Sequence, residues 1–465
     1  VSQPSLSRAL RPYRYAWPRD GFADTGWRRA GDAWELELPE SREALAADSR
    51  WPALFPSPLC LVTAADGTTA VLERVAGPSI VNRFPYVLAL SFCVEPLSGR
   101  HYARRAFTEV LERGGAVAVQ FLPPGPVLDR VLGVIEKTSE AETPERIART
   151  GLATRPALTS AAPVFADAYL VYEGRLVRPG RDLDGEPIYP QPWRDVGSHR
   201  VYFLEVRAIQ LRRDIAEGRS QVRWRSLPAW DPAAATGTVD PAGAGGSGYQ
   251  KGYTPHYAFP SAGTIAFEAD GIEDGMAVKH LAPEAADQVE VDNDRARWPC
   301  FFPSSVGMIT TWTPDGRPNL MPCGSTTVVS RHPLVITPCV GYAAINERYA
   351  PRLTLDLIRK NRAFGCGVPY VSERVVAAIK LAGNVSLQAA GDKVARTGLA
   401  VTRGPLAPVL DDLPVHFDCE VMDELRLGTH VMFLGAVRRI RVRADVTTAN
   451  PLEWCPWADV LPADG

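Results

Sequence analysis

The stretch WPCFFPSSVGMITTWTPDGRPNLMPCGSTTVVSRHPLVITPCVGYAAINERYAPR, Trp298 to Arg352, decides the fold because a weaker copy of it stands earlier in the same chain. The copy opens WPALFPSPLCLVTAADG, so Trp51, Phe55, Pro56 and Ser57 correspond to Trp298, Phe302, Pro303 and Ser304 at an offset of 247. The register persists. Asp66-Gly67 answers Asp315-Gly316 at 249, Arg83-Phe84-Pro85 answers Arg331-His332-Pro333 at 248, and Arg149-Thr150-Gly151-Leu152 answers Arg396-Thr397-Gly398-Leu399 at 247. Gly197-Ser198-His199 and Gly428-Thr429-His430, each before an apolar run, agree at 231, which places a 16-residue insertion in the first copy, around Asp182 to Arg194. A period this long exceeds any solenoid repeat. Each unit is the size of a domain, so the chain reads as two like domains in tandem.

Composition narrows the class. The 465 residues, 46% apolar and 22% charged, suit globular domains with sizeable cores. A formal net charge of −2 supplies no basic field for nucleic acid, and no Lys/Arg block addresses an anionic membrane. No apolar run reaches the roughly 18 residues of a membrane span, and VSQPSLSRALRPYRYAW has no signal-like core. The chain therefore reads as cytoplasmic, with a small-molecule substrate and neither nucleic acid nor membrane as partner. Eight cysteines, Cys60, Cys93, Cys300, Cys323, Cys339, Cys366, Cys419 and Cys455, form no CxxC pair. Most lie in apolar runs, where a thiol packs as a small hydrophobe. No metal-ligand spacing occurs, and no GxGxxG opens a helix after a strand.

Residues 1–50 form an arm rich in aromatics, Pro and Arg, with one alternating run at Trp34 to Leu38, and it is expected to pack on the first domain. Tyr15-Ala16-Trp17-Pro18 resembles Tyr257-Ala258-Phe259-Pro260, so the lead-in is itself repeated. The first domain, 51–215, alternates short strands and turns, with helices at Ala106 to Arg113 and Val127 to Ile135 and a long strand at His199 to Leu211. Residues 216–252, rich in Ala, Gly and Pro, read as a linker. The second domain, 253–445, repeats the order, with helices at Leu353 to Arg359 and Ser372 to Leu381 and closing strands at Phe417 to Met422 and His430 to Val442. The tail, 446–465, carries Trp454 and Trp457 and reads as a packed extension. Asp-Gly between strand-like runs signals hairpins. Strands that outnumber helices and close on one another predict a mainly β (α+β) protein built of two small barrels.

The second copy resembles the flavin reductase-like, FMN-binding split-barrel family that includes the flavoredoxins. The likeness rests on Thr310, Asp315-Gly316-Arg317-Pro318-Asn319, Ser325-Thr326-Thr327, Ser330-Arg331-His332-Pro333, Arg352-Leu353-Thr354 and Gly428-Thr429-His430, in that order. The family often has Asp inside the last triplet; here Thr429 and Ser198 stand there, which leaves the use of NAD(P)H as a transient reductant open. The resemblance implies a two-barrel dimer with FMN in a groove between barrels. Duplication would place that dimer in one chain as an intramolecular pseudo-dimer, itself a monomer or a homodimer.

FMN carries a phosphate dianion, which suits a helix start with unbonded amides and a positive dipole end. On the resemblance, Arg352 and Thr354 hold the phosphate, while Asn319, Ser325 and Thr326 face the ribityl chain and the polar ring edge. His430 is the catalytic candidate, since an imidazole exchanges protons near neutral pH. Each has a plainer role when taken alone. Asn319 is then a turn residue, Thr354 a helix cap, Arg352 a solvated charge and His430 a strand start.

In the first copy Arg105 matches Arg352, but Phe107 matches Thr354, Ala70 matches Asn319, and Gly77 and Pro78 match Ser325 and Thr326. That loss of polar side chains predicts a single FMN per chain, held by the second copy. The insertion reads either as a lid or as surface decoration. The expected function is an FMN-dependent oxidoreductase passing hydride or electrons through flavin to a small acceptor or oxygen. The alternatives are a degenerate barrel that binds a small molecule or catalyses a non-redox step in the former flavin groove, and a non-catalytic assembly partner.

Overall fold

The computed structural model describes residues 10, 12–17, 26–38, 55–95, 103–225, 227–232, 256–259, 269–281, 305–343, 352–388 and 391–462. Two ten-stranded sheets follow the same path. The first runs through Gly271–Glu273, Met276–His280, His199–Arg212, Leu170–Leu176, Ala116–Phe121, Leu59–Ala65 and Ala70–Ala76. The second runs through Arg28–Ala30, Ala33–Glu37, His430–Arg443, Val415–Arg426, Ala363–Val368, Gly307–Trp312 and Pro318–Cys323. Both Asp-Gly turns close hairpins, Leu59–Ala65 on Ala70–Ala76 and Gly307–Trp312 on Pro318–Cys323. The predicted helices form as Arg105–Gly114, Pro126–Lys137, Leu353–Asn361 and Glu373–Asn384.

Strand periodicity explains why the runs are continuously apolar. Along Leu59–Ala65, Cys60, Val62 and Ala64 face the barrel interior with Tyr86, Leu88 and Tyr202. Leu59 and Leu61 face the other way, onto Leu128, Val131 and Leu132 of a helix. A strand covered on both faces needs side chains of this kind at every position. The described cysteines are free thiols, five of them buried, and Cys300 lies outside the described residues.

A third apolar cluster joins the halves. Val81, Val87, Ala89, Val201 and Phe203 of the first pack with Val329, Val335, Met432 and Leu434 of the second. At its rim each half seats a glycine turn on a proline turn of the other. The Ser198 amide donates to the His332 carbonyl at 2.9 Å, and a Cβ on Gly197, at φ 57°, would strike that same carbonyl. Reciprocally, Gly428, at φ 126°, lies against the Phe84 carbonyl. Close approach and a left-handed backbone both demand glycine at these two places.

The ends of the two units are exchanged. The arm does not close the first barrel as expected: Ala33–Glu37 pairs with Arg439 to Arg443 at the edge of the second sheet, and Met276–His280 pairs with Ala208 to Arg212 of the first. Charge is the physical reason on the second sheet, where Glu35 receives Arg439 Nη1 at 2.9 Å and Asp32 receives Arg441 Nη2 at 3.0 Å. Of the arm, Leu10 does pack into the first half. The linker is also shorter than 216–252, because Ser220–Arg225 pairs with Asp459–Pro462 of the tail and Trp230 joins the second core. The rest of that stretch, from 233, lies outside the described residues. The tail crosses over as well, Trp454 packing in the first core.

Leu36 is 5% exposed and belongs to the core of the second sheet. Leu36→Ala is expected to cost about 2–5 kcal/mol in urea unfolding, and the loss should register in the second half, measured by hydrogen exchange of the strand His430–Arg443.

Candidate functional site

The helix Leu353–Asn361 starts at Arg352, whose side chain makes no capping bond and whose amide donates to the Gly341 carbonyl at 3.2 Å. Gly341 is paired with His430 across the sheet, so the helix start and the imidazole share one neighbour. On the helix's inner side Thr354, 4% exposed, accepts from Asn319 Nδ2 at 3.0 Å. The second Asn319 amide hydrogen goes to Thr311 Oγ1 at 3.2 Å. Asn319 therefore orients Thr354, and both of its donors are spent.

Ser325 and Thr326 stand in the turn that follows the strand Pro318–Cys323. Thr326 donates to the Cys323 carbonyl at 2.9 Å and packs on Gly307, closing its own turn. Ser325 is half-buried in that turn. Four strand positions from Asn319 to Cys323 span roughly 13 Å, and the turn follows, so this pair and the Asn319–Thr354 pair lie at different places along one edge rather than at a single contact point.

One candidate residue escaped sequence reasoning. Lys393, on the short helix Lys393–Arg396 packed against Pro318–Cys323, is 5% exposed. The Arg352 guanidinium, another cation, acts on it through space. Burial first, and the Arg352 charge second, push its ammonium down to about 7. A nearly buried ammonium and a guanidinium near one helix start set up a positive field that favours an anion. The signal was present as the partner of Arg146, which stands at an offset of 247.

His430 is fixed from its other side. Asn82 Nδ2 donates to the Pro85 carbonyl, which leaves Oδ1 to accept from the Thr429 amide at 2.8 Å, the Thr429 hydroxyl at 3.0 Å and the His430 amide at 3.1 Å. Because that hydroxyl gives its proton to Asn82, its oxygen accepts from His430 Nδ1 at 2.8 Å. The neutral ring is then the Nδ1–H tautomer, with the Nε2 lone pair on the side of Gly341.

The insertion docks beside this corner. Asp182, with a fully covered side chain, accepts from Tyr342 and from Arg426 Nε at 2.9 Å, and Tyr189 donates to the Leu427 carbonyl at 2.8 Å. Arg426 also stacks 4.4 Å over the Tyr342 ring. The first half thus contributes a strap to the second half next to Gly428-Thr429-His430. Two cavities, of about 290 Å³ at Arg29, Asp32 and Arg443 and about 140 Å³ at Pro12, Leu227 and Trp454, lie away from it. Residues 344–351 and 389–390, next in sequence to the helix start and to Lys393, lie outside the described residues.

Residues 299–457 match the family described as the flavin reductase like domain. Among solved structures, a flavoredoxin from Methanosarcina acetivorans is 22% identical over 30% of this chain and 67% of its own, with a TM-score of 0.26. Flavoredoxin of Desulfovibrio vulgaris is 22% identical over 31% and 73%, with a TM-score of 0.27. Component B of nitrilotriacetate monooxygenase from Bacillus cereus is 18% identical over 40% and 98%, with a TM-score of 0.31. A search of curated proteins finds no match. No described helix is long and apolar enough to cross a membrane.

Because Lys393 is charged below about 7 and neutral above, anion binding here should weaken as pH rises through 7. In anion-free solution the folded protein should gain stability between about 7 and the unfolded value of roughly 10.4, where the unfolded chain binds the extra proton. Phosphate titrations and urea melts from pH 6.5 to 9 on wild type and Lys393→Met check both, the variant losing both trends.

Proposed function

Proceeding from the flavin reductase like domain at 299–457, we propose that the second half binds FMN and that the protein is a flavin-dependent oxidoreductase acting on a small acceptor or oxygen. The observation that carries this reading is Lys393, nearly buried and within coulombic reach of Arg352, which opens the helix Leu353–Asn361. Arg352, Lys393 and the first amides of Leu353–Asn361 hold the phosphate, with the Thr354 hydroxyl as a further donor. Asn319 is a positioning residue for Thr354. Ser325 and Thr326 line the more distant part of the groove, Ser325 with the freer hydroxyl.

When bound, the flavin supplies the hydride and electron chemistry. His430 holds a proton at Nδ1 through Thr429 and presents Nε2 as acceptor, or as donor once protonated. The Asp182 strap, tied to Tyr342 and Arg426, covers the corner beside Gly428-Thr429-His430. NAD(P)H is the candidate source of hydride, and its oxidation by purified protein tests that role. The two like units, arising by tandem duplication, form a single-chain counterpart of a two-barrel dimer with one cofactor.

Protein as isolated, or after addition of FMN, is expected to show a flavin spectrum with close to one flavin per chain. A colourless protein that leaves added FMN unbound overturns the reading, and a ratio near two overturns its one-sided form. Lys393→Met is expected to weaken FMN binding about tenfold to a hundredfold, as loss of a charge-assisted bond worth roughly 1.5–3 kcal/mol requires, measured by fluorescence quenching.

A further inference from the structure

The first half has the same cradle, and it is already full. Arg104 occupies the place of Arg352: it precedes the helix Arg105–Gly114, and its amide donates to the Cys93 carbonyl at 2.7 Å, as that of Arg352 does to Gly341. Cys93 pairs with His199 as Gly341 pairs with His430. The helix start thus replaces Arg105, the match by sequence, with its neighbour. Arg146 stands for Lys393 and is 1% exposed. Against these cations lie two carboxylates. Glu73, 1% exposed, meets Arg146 Nη1 at 2.7 Å and Arg104 Nε at 3.2 Å. Glu140 accepts from the Ala106 amide at 2.8 Å, inside the first turn of the helix, with its other oxygen 3.9 Å from Arg104. In the second half Met321, paired with Ile309 as Glu73 is paired with Val62, stands at the position of Glu73.

We infer that the first half keeps a phosphate-binding cradle whose anion is supplied by the chain's own Glu73 and Glu140, which limits the chain to one phosphate-bearing ligand. The inference rests on the phosphate reading of the second cradle. Two monoanions match the charge of one phosphate dianion, and they bridge the same three kinds of donor: two cationic side chains and a helix start. Being tethered, they compete at an effective concentration of millimolar or more, so dilute phosphate esters do not displace them. Neutralising them leaves Arg146 buried without a counter-ion, a state that phosphate from solution would relieve.

The experiment uses inorganic phosphate as probe and Lys393→Met as the parent, so that binding in the second half is already weak. Adding Glu73→Gln and Glu140→Gln to that parent is expected to produce one phosphate site, at least tenfold tighter than any in the parent by calorimetry. The melting temperature of the variant should rise with phosphate while that of the parent stays level. A folded variant, by circular dichroism, that binds no phosphate and melts indifferently to it overturns the inference. If the pair of changes prevents folding at every phosphate concentration, Glu140→Gln alone is read by the same two measurements, and absence of both effects there overturns it equally. Loss of FMN binding in the wild type with phosphate binding intact would sink the flavin reading and leave this one standing.

Discussion

The rest of the molecule depends on the seam at which each half seats a glycine turn against a proline turn of the other. Gly197 and Gly428 allow backbone to meet backbone there, and the apolar cluster of Val87, Phe203, Val335 and Met432 excludes water around them. Asn82 sits at the edge of that seam, 1% exposed, with one oxygen accepting from Thr429 and His430. A buried amide so engaged would be costly to leave unpaired. The imidazole of one half is consequently aimed by a residue of the other, so that docking of the halves and orientation of His430 are one event.

The repeat, the hairpins at both Asp-Gly turns, the helices and the long closing strands were all legible, because each is written in local periodicity or turn chemistry. Partner choice for the terminal strands was not. The run Trp34 to Leu38 could sit on either barrel edge as far as its alternation goes, and the decision came from Glu35 and Asp32 meeting Arg439 and Arg441 about four hundred residues away. Within the site, Asn319 meets Thr354, two residues from Arg352, but Asn319 spends its amide on neighbours. Lys393 was missed because a lysine in a short helix has no local mark of burial; only its correspondence with Arg146 carried the signal.

The two cradles show how one scaffold sets opposite electrostatic conditions with few changes. Each places two cations at a helix start. In the first half Glu73 and Glu140 complete the charge balance internally, so that the burial of Arg146 is compensated. In the second half the corresponding lysine is held near neutrality by burial and by Arg352. The same geometry is a finished ion-pair network on one side and, in the proposed function, an acceptor for an outside anion on the other. The strap through Asp182 and Tyr189 breaks the symmetry further, since it reaches from the compensated half to the receptive one.

The exchanged hairpins also govern how the chain can be assembled during synthesis. The strand Ala33–Glu37 leaves the ribosome early, yet its pairing partners at Arg439 to Arg443 are made about four hundred residues later. At about 5–20 residues per second, that strand waits roughly 20–80 seconds with its bonding edge unmatched. Through that interval the nascent polypeptide carries an adhesive strand, and a segment translated ahead of both barrels is among the last to reach its native place.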